Sequence, residues 1–418
     1  MTEIILKLRI VTPMFISGAD QQEHAELREP SIKGLLRFWY RVIYPNNPES
    51  EARIFGGQGK GQGQSRVLLR ISNKTLISGT KGDQCWEGTK TAYLGYGVIN
   101  REETGEFKTD KSGNFQTDRN GNKIPVKKAI TTRPYIKSSS RFDLTIRFSP
   151  VPKDSSDEKR KVFQEDEQHL KMALWAWLMF GGLGARSRKG FGSLIVESAT
   201  GLDDLPPLKL NSREALQDSI QKFIEKIPAL PKISGFPDYT HWSEQTKCLI
   251  TGNGKNGEEA LENLGRKIAS LRSYQSNDKL AWVTDDHDLM DKFVRDVRTP
   301  TNPPLRSAFG LPHNYFFSTS KKSGEVNFMD VNDKKGRRAS PVFFTVYEFP
   351  TRTKACIVAL FLPAKLIPVD KKVRISTGEQ DKPSYRYKDL ALFDDFTAIT
   401  DILDEFSKTE NHGLKVHP

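Results

Sequence analysis

The chain has 418 residues, 36% hydrophobic and 28% charged, and 64 Lys and Arg outnumber 52 Asp and Glu, giving a formal charge of +12. That length exceeds one ordinary core and predicts two domains, while the basic excess suits a polyanion such as nucleic acid. No apolar run reaches the about 20 residues of a membrane span. Cys85, Cys248 and Cys356 lie far apart with no CxxC, which excludes a disulfide framework and leaves a reducing cytoplasm as the expected compartment.

The amino end alternates in the manner of a strand over Glu3–Thr12 and does not read as a signal peptide. Pro30-Ser31 opens a helix over Ile32–Ile43. Ser65–Ser72 and Arg141–Ser149 read as the second and third strands. Glu165–Phe180 is a helix, acidic at its start and apolar at its end. Ser193–Ser198 closes the series as a fourth strand. The order βαββαβ is the ferredoxin-like (RRM-type) plan. A first domain is expected over 1–204, with a polar insertion over about 79–137.

The insertion carries an octapeptide duplication, Phe107–Asn114 and then Phe115–Asn122. Asn120-Gly121 is a type I′ turn signal and predicts a hairpin-like flap. Asp118–Asn122 has some character of a calcium loop, but Lys123 holds the sixth position, where that loop requires glycine.

Residues 205–418 read as a linker helix and a second, degenerate ferredoxin-like domain, so the fold class is α+β with two such domains packed together. A helix is predicted over Arg213–Ile227, a strand over Lys247–Thr251 and a helix over Glu258–Tyr274. Strands follow at Tyr315–Thr319, Pro341–Phe349 and Ala355–Leu362, then a helix over Asp394–Ser407. A short echo links the halves. Arg53-Ile54-Phe55-Gly56 precedes the second strand, and Ala308-Phe309-Gly310 precedes the comparable strand of the second half.

The stretch Gly181–Gly192 places five glycines and three cations between an apolar helix and a strand. Glycine allows close backbone approach and cations neutralise phosphate, so the loop reads as a polyanion cradle. It is not a Walker A loop, because Gly190 is followed by Phe191-Gly192 and a strand. Leu183 and Phe191 are expected to anchor it. Lys33, Arg37 and Arg41 recur every fourth residue on the first helix, with Arg28 just upstream. They read equally as phosphate contacts or as a solvated basic stripe. Arg337 and Arg338 form a second basic turn open to the same two readings.

Catalytic signals are sparse. No HExxH or HxxxH occurs, so no zinc site is expected. Asp285-Asp286-His287-Asp288 is either a metal cluster or a solvated acidic turn. His24 is an acid–base candidate or an ordinary loop histidine.

Arg28–Trp39 (REPSIKGLLRFW) and Gly184–Gly192 (GARSRKGFG) resemble the helix and glycine-rich loop of the RAMP superfamily of CRISPR proteins. Arg337–Pro341 (RRASP) resembles an element of the branch found in type III-B effector complexes. The resemblance implies two packed ferredoxin-like domains in a prokaryotic, cytoplasmic ribonucleoprotein of antiviral defence. It implies a non-catalytic RNA-binding subunit near the 3′ end of the CRISPR RNA, contacting guide or target RNA beside other RAMP subunits. The RNA-binding residues are then Arg28, Lys33, Arg37, Arg41, Gly184, Arg186, Ser187, Arg188, Lys189, Gly190, Gly192, Arg337 and Arg338. No cofactor, metal or membrane is implied. Slicing RAMP subunits use an aspartate in the loop after the first strand; here that loop offers Asp20, Glu23 and Glu26, which argues against slicing. The alternative is a metal-independent endoribonuclease using His24.

Overall fold

The computed structural model describes residues 3–59, 63–84, 91–117, 121–228, 235–351, 354–365, 367, 371–378, 383–390, 395–408 and, by backbone alone, 414–416. β1 (Glu3–Ile10) buries Ile4, Leu6, Leu8 and Ile10 completely, as its alternation demands. α1 (Glu29–Ile43) begins before the expected Ile32, because proline fits the first helical turn. A further helix, α2 (Pro48–Phe55), is started by Asn47, whose side chain accepts from Ser50 N at 3.2 Å. After β2 (Val67–Thr75) come the insertion elements β3 (Ser78–Gly79), α3 (Thr91–Leu94), β4 (Ile99–Phe107), β5 (Pro125–Thr131) and β6 (Tyr135–Ile136). β7 (Arg141–Phe148), α4 (Asp157–Phe180) and β8 (Leu194–Thr200) complete the first half. α4 starts at Asp157 rather than Glu165, since Ser156 Oγ caps Lys159 N at 3.3 Å.

The first sheet has the order β2-β7-β1-β8, antiparallel throughout. α1 and α4 pack against one another. In the insertion, β4 and β5 pair as the expected flap. The duplicated octapeptides close a triangle at its tip. The amides of Lys108, Gln116 and Ile124 donate to the carbonyls of Ile124, Lys108 and Gln116, at 2.9, 2.8 and 2.9 Å. The eight-residue period is therefore a structural repeat. Asp118 to Asn120, and with them most of the calcium-like stretch, lie outside the described residues.

The second half runs α5 (Arg213–Ile224), β9 (Lys247–Gly254), α6 (Gly257–Arg272), α7 (Ala281–Val294), a 3-10 helix (Leu305–Phe309), β10 (His313–Phe317), β11 (Lys322–Met329) and β12 (Lys335–Gly336). It ends with β13 (Val342–Glu348), β14 (Ala355–Phe361), β15 (Lys372–Thr377), β16 (Arg386–Leu390), α8 (Thr397–Lys408) and β17 (Leu414–Val416). Its main sheet has the order β13-β14-β9-β17, again antiparallel. In each half the unit's first strand lies between the third and the fourth, and the second is outermost.

The short echo between the halves has matching local turns before β2 and before β13. Gly56 (φ 84°) presses on the backbone at Ser65, and Gly310 (φ 107°) presses on the backbone at Ser340; an added Cβ would meet either amide nitrogen at 2.9 Å. Ser65 Oγ then accepts from Val67 N, and Ser340 Oγ from Val342 N, both at 3.2 Å. The strand at Tyr315 belongs to a separate sheet, β10-β11-β15-β16 with β12 beside β11. With α7 this sheet forms a small lobe on its own core, which includes Met290, Phe293, Val326, Val373 and Ile375.

The two main sheets and their helices share one hydrophobic core. Trp39 and Phe343 meet across the halves at 5.4 Å, and Trp175 stacks on Phe223 of α5 at 3.9 Å. Such fully buried aromatics each contribute several kcal/mol, roughly 3–5 by truncation to alanine.

Candidate nucleic-acid interface

The Gly181–Gly192 loop is a folded plug. Leu183 and Phe191 are buried, as anchoring requires. Leu183 N donates to Gly192 O (2.9 Å), Ala185 N to Phe15 O (2.7 Å) and Gly192 N to Pro13 O (3.0 Å). Gly192 (φ 62°) is obligatory, because a Cβ would lie 1.9 Å from Leu183 O; at Gly184 (φ 96°) it would lie 2.6 Å from Phe15 O. Gly190 O accepts from Thr12 Oγ1 (2.6 Å) and Ser193 Oγ (3.0 Å). The loop then covers β13, the edge of the second sheet. Lys189 bridges to Phe344, and Phe344 N donates to Arg188 O at 3.1 Å. An exposed strand edge is thereby closed by the first half.

The loop's three cations go to three places. Arg188 faces inward: its guanidinium lies 4.4 Å from the Phe343 ring and 5.2 Å from Phe38, and donates to Ser340 O. Burial first, and Arg338 second, lower its pKa to about 10. It is a clamp between the halves. Lys189 sits between the Phe309 and Phe344 rings at 5.9 and 6.0 Å. Burial, then Arg272, Arg186 and Arg188, lower its pKa to about 7. Arg186 (φ 62°) points outward and is exposed, with the partly exposed Ser187 beside it.

Around Arg186 a cationic surface assembles from distant segments. Its pKa is lowered by partial burial, then by Arg337 and Arg133. Arg337 comes from the turn before β13 and Arg133 from the insertion. Neither Arg186 nor Arg337 makes an ion pair among the described residues, and Arg133 reaches only Gln21, at 3.5 Å. Tyr96, 69% exposed, adjoins Arg186, and Gly97 leaves room for the guanidinium. Arg338 is used structurally: Nη2 donates to Lys365 O (2.9 Å), and its backbone pairs with Leu311. The basic turn thus divides, Arg337 outward and Arg338 inward.

The predicted row on α1 does not join this surface. Arg41 holds Glu51 in a two-pronged contact at 2.8 and 2.6 Å. Arg37 pairs with Glu51 at 3.1 Å and donates to Gly56 O. Glu51 lies on α2, the helix the sequence reading missed, so two of the row's cations share one local carboxylate. Arg28 stands 3.9 Å from Glu26. Lys33 is half-buried, and no ion pair engages it among the described residues; burial and then Arg37 lower its pKa. α1 instead meets the loop through Phe38 and Trp39.

His24 is exposed in the loop after β1. In the same loop Asp20 Oδ1 accepts from Gln22 N (2.6 Å) and Glu23 N (3.3 Å), a local turn. Asp285–Asp288 falls within α7 and splits its side chains. Asp286 accepts from Leu305 N (2.7 Å) and Arg306 N (2.8 Å), while His287 stacks on Tyr274 at 3.7 Å. Among the described residues no group of three such side chains is placed to hold a metal, and no helix is long and apolar enough to cross a membrane.

Residues 7–195, which hold the loop and the first helix, match the model of the RAMP superfamily. The chain as a whole resembles Cmr1 of the type III-B CRISPR systems. It is 26% identical to the CRISPR system Cmr subunit Cmr1-2 of Pyrococcus furiosus over 208 residues, 47% of this chain and 96% of that protein. It is also 26% identical to Cmr1-1 of the same organism over 214 residues, 49% of this chain and 51% of that one. The crystal structure of Cmr1 from Pyrococcus furiosus in its apo form superposes with a TM-score of 0.51 at 19% identity, covering 100% of this chain and 99% of that one. That likeness is one of fold.

Proposed function

We propose that this chain is a non-catalytic, RNA-binding subunit of a type III-B CRISPR effector ribonucleoprotein, at the head of the complex near the 3′ end of the CRISPR RNA. The observation that carries RNA binding is the meeting of Arg133, Arg186 and Arg337, from three separate segments, beside the exposed ring of Tyr96. Unpaired arginines suit phosphates and an exposed aromatic suits an unstacked base, the pairing expected for single-stranded RNA. The matching strand order of the two halves, with the Ser65 and Ser340 turns, supports a duplicated ferredoxin-like architecture. The local use of Asp20 supports binding without slicing. Other RAMP subunits and guide or target RNA are the partners in this reading.

The test is RNA affinity across a salt series for the wild type and the Arg186→Ala, Arg337→Ala double variant. Each lost phosphate contact on a single strand reduces the slope of log K against log salt by about 0.7. An unchanged affinity and slope would remove the site.

A further inference from the structure

On the other side of the loop from Arg186 lies a second group of cations, of which Arg272 is buried and Lys189 and Arg306 are half-buried. Arg272, in the last turn of α6, is only 8% exposed. Its guanidinium lies 4.3 Å from the Phe309 ring and 5.9 Å from Tyr93. No carboxylate lies within ion-pair distance of it among the described residues, and its Nε has no hydrogen-bond partner. Lys189 lies against the same Phe309 ring, at 5.9 Å, also without an ion pair. Arg306 joins them: its Nη2 donates to Arg272 O at 3.0 Å, and its Nε is unsatisfied. His313 Nε2 and the Tyr315 hydroxyl are buried nearby with no partner.

Unpaired buried cations are costly, and a folded protein ordinarily places an acid among them. Asp286 is the carboxylate that approaches, but its oxygens accept from the Leu305 and Arg306 amides. Its own pKa is raised to about 6, chiefly by burial. Three cations thus face one committed carboxylate. Among the described residues no further carboxylate balances them.

We propose that the cation cluster beside Tyr93, where Lys189, Arg272 and Arg306 converge, binds a single phosphate group. A guanidinium fork, an ammonium and a phenol hydroxyl are the donor types a phosphate oxyanion takes. Tyr93, beside Arg272, is 37% exposed. The phosphate is a chain phosphodiester of RNA, a terminal RNA phosphate or a free anion. The inference does not depend on the RNA-binding surface at Arg186.

The full chain is melted in chloride buffer, with and without inorganic phosphate at matched ionic strength. Phosphate is expected to raise the wild-type melting temperature. Arg272→Leu keeps an apolar stem against Phe309 and removes the charge. It should melt above the wild type without phosphate, gain nothing from phosphate, and bind it roughly tenfold or more weakly by calorimetry. The proposal is overturned if phosphate leaves the wild type unmoved, or moves Arg272→Leu equally. If that variant does not fold, Lys189→Met takes its place under the same criterion. Single-stranded RNA ending in a 3′-phosphate or a 3′-hydroxyl is then used as competitor. Displacement by both supports a chain phosphodiester as the source, displacement by the phosphorylated end alone a terminal phosphate, and displacement by neither a free anion. Because the first arm contains no RNA, its failure is separable from failure of the RNA-binding reading.

Discussion

Arg9 Nη1 lies 2.9 Å from Glu348 Oε1, and the two side chains are 4% and 6% exposed. Arg9 is on β1 and Glu348 on β13, so this ion pair ties the two main sheets together. Its outer contacts are complete: Arg9 Nε reaches Glu197 at 3.2 Å, and Glu348 Oε2 accepts from Gly257 N at 2.8 Å. Either Arg9→Ala or Glu348→Ala leaves a charge buried without its partner. Each is expected to destabilise the fold by about 3–5 kcal/mol in urea unfolding. The double variant should cost less than the sum of the singles.

Gly192→Ala places a methyl within 1.9 Å of the Leu183 carbonyl, at a φ of 62°. The clash is with backbone in a plug already closed by hydrogen bonds, so no side chain can yield. A loss of roughly 3 kcal/mol or more is expected by chemical denaturation. Gly34→Ala on α1 is the control. A Cβ there meets nothing within 4 Å, and the change should be neutral or stabilising by up to about 1 kcal/mol.

Arg188 and Arg41 should behave oppositely to Arg186 in RNA binding. Arg188→Ala removes contacts to two rings and the bond to Ser340 O. It is expected to lower stability by about 2 kcal/mol. Arg41→Ala breaks an exposed pair with Glu51 and should cost at most about 1 kcal/mol. Circular-dichroism melts read these effects, and RNA affinity of the folded Arg41→Ala variant should match the wild type.

Lys189 makes stability depend on pH in phosphate-free buffer. Its folded pKa of about 7 lies below the ordinary 10.5, through burial and the repulsion of Arg272, Arg186 and Arg188. Between those values the unfolded chain holds the proton and the folded chain has released it. Stability therefore increases as pH rises from about 7 towards 10.5, and below 7 the charged form is held at a cost. Lys189→Met should be more stable than the wild type near pH 6 and should flatten the slope. Urea midpoints across that range measure it.

The strands and helices of the first half were legible because one face of each is buried. Arg141–Phe148 alternates cleanly, and Met172–Phe180 is buried at every position. α2 was missed because PESEARIF is short and mostly polar, and its cap lies in Asn47 just before it. α7 has no side-chain cap at Leu280, and its acidic DDHD stretch masked a helix with one buried face. The lobe was missed because strands such as Lys322–Met329 are half polar and bury residues without a clean alternation. At the site, residue type was readable and destination was not. Arg186, Arg188 and Lys189 are near neighbours in sequence, yet they face solvent, an aromatic interface and a half-buried cation cluster. Arg133 and Arg272 gave no local signal, since only tertiary packing brings them to the loop.

The sheet of the small lobe is assembled from two separate excursions of the chain. β10–β12 leave between the 3-10 helix and β13, whereas β15 and β16 leave between β14 and α8. The join is β11 to β15, with Gly324 opposite Thr377. Each excursion alone is an unpaired ribbon, and pairing them requires the β13–β14 hairpin to hold their roots together. The sheet beneath the lobe holds the ends of both excursions, which lowers the loop-closure entropy of pairing them. Removing one excursion would orphan the other, so an evolutionary or engineered deletion here has to take both at once.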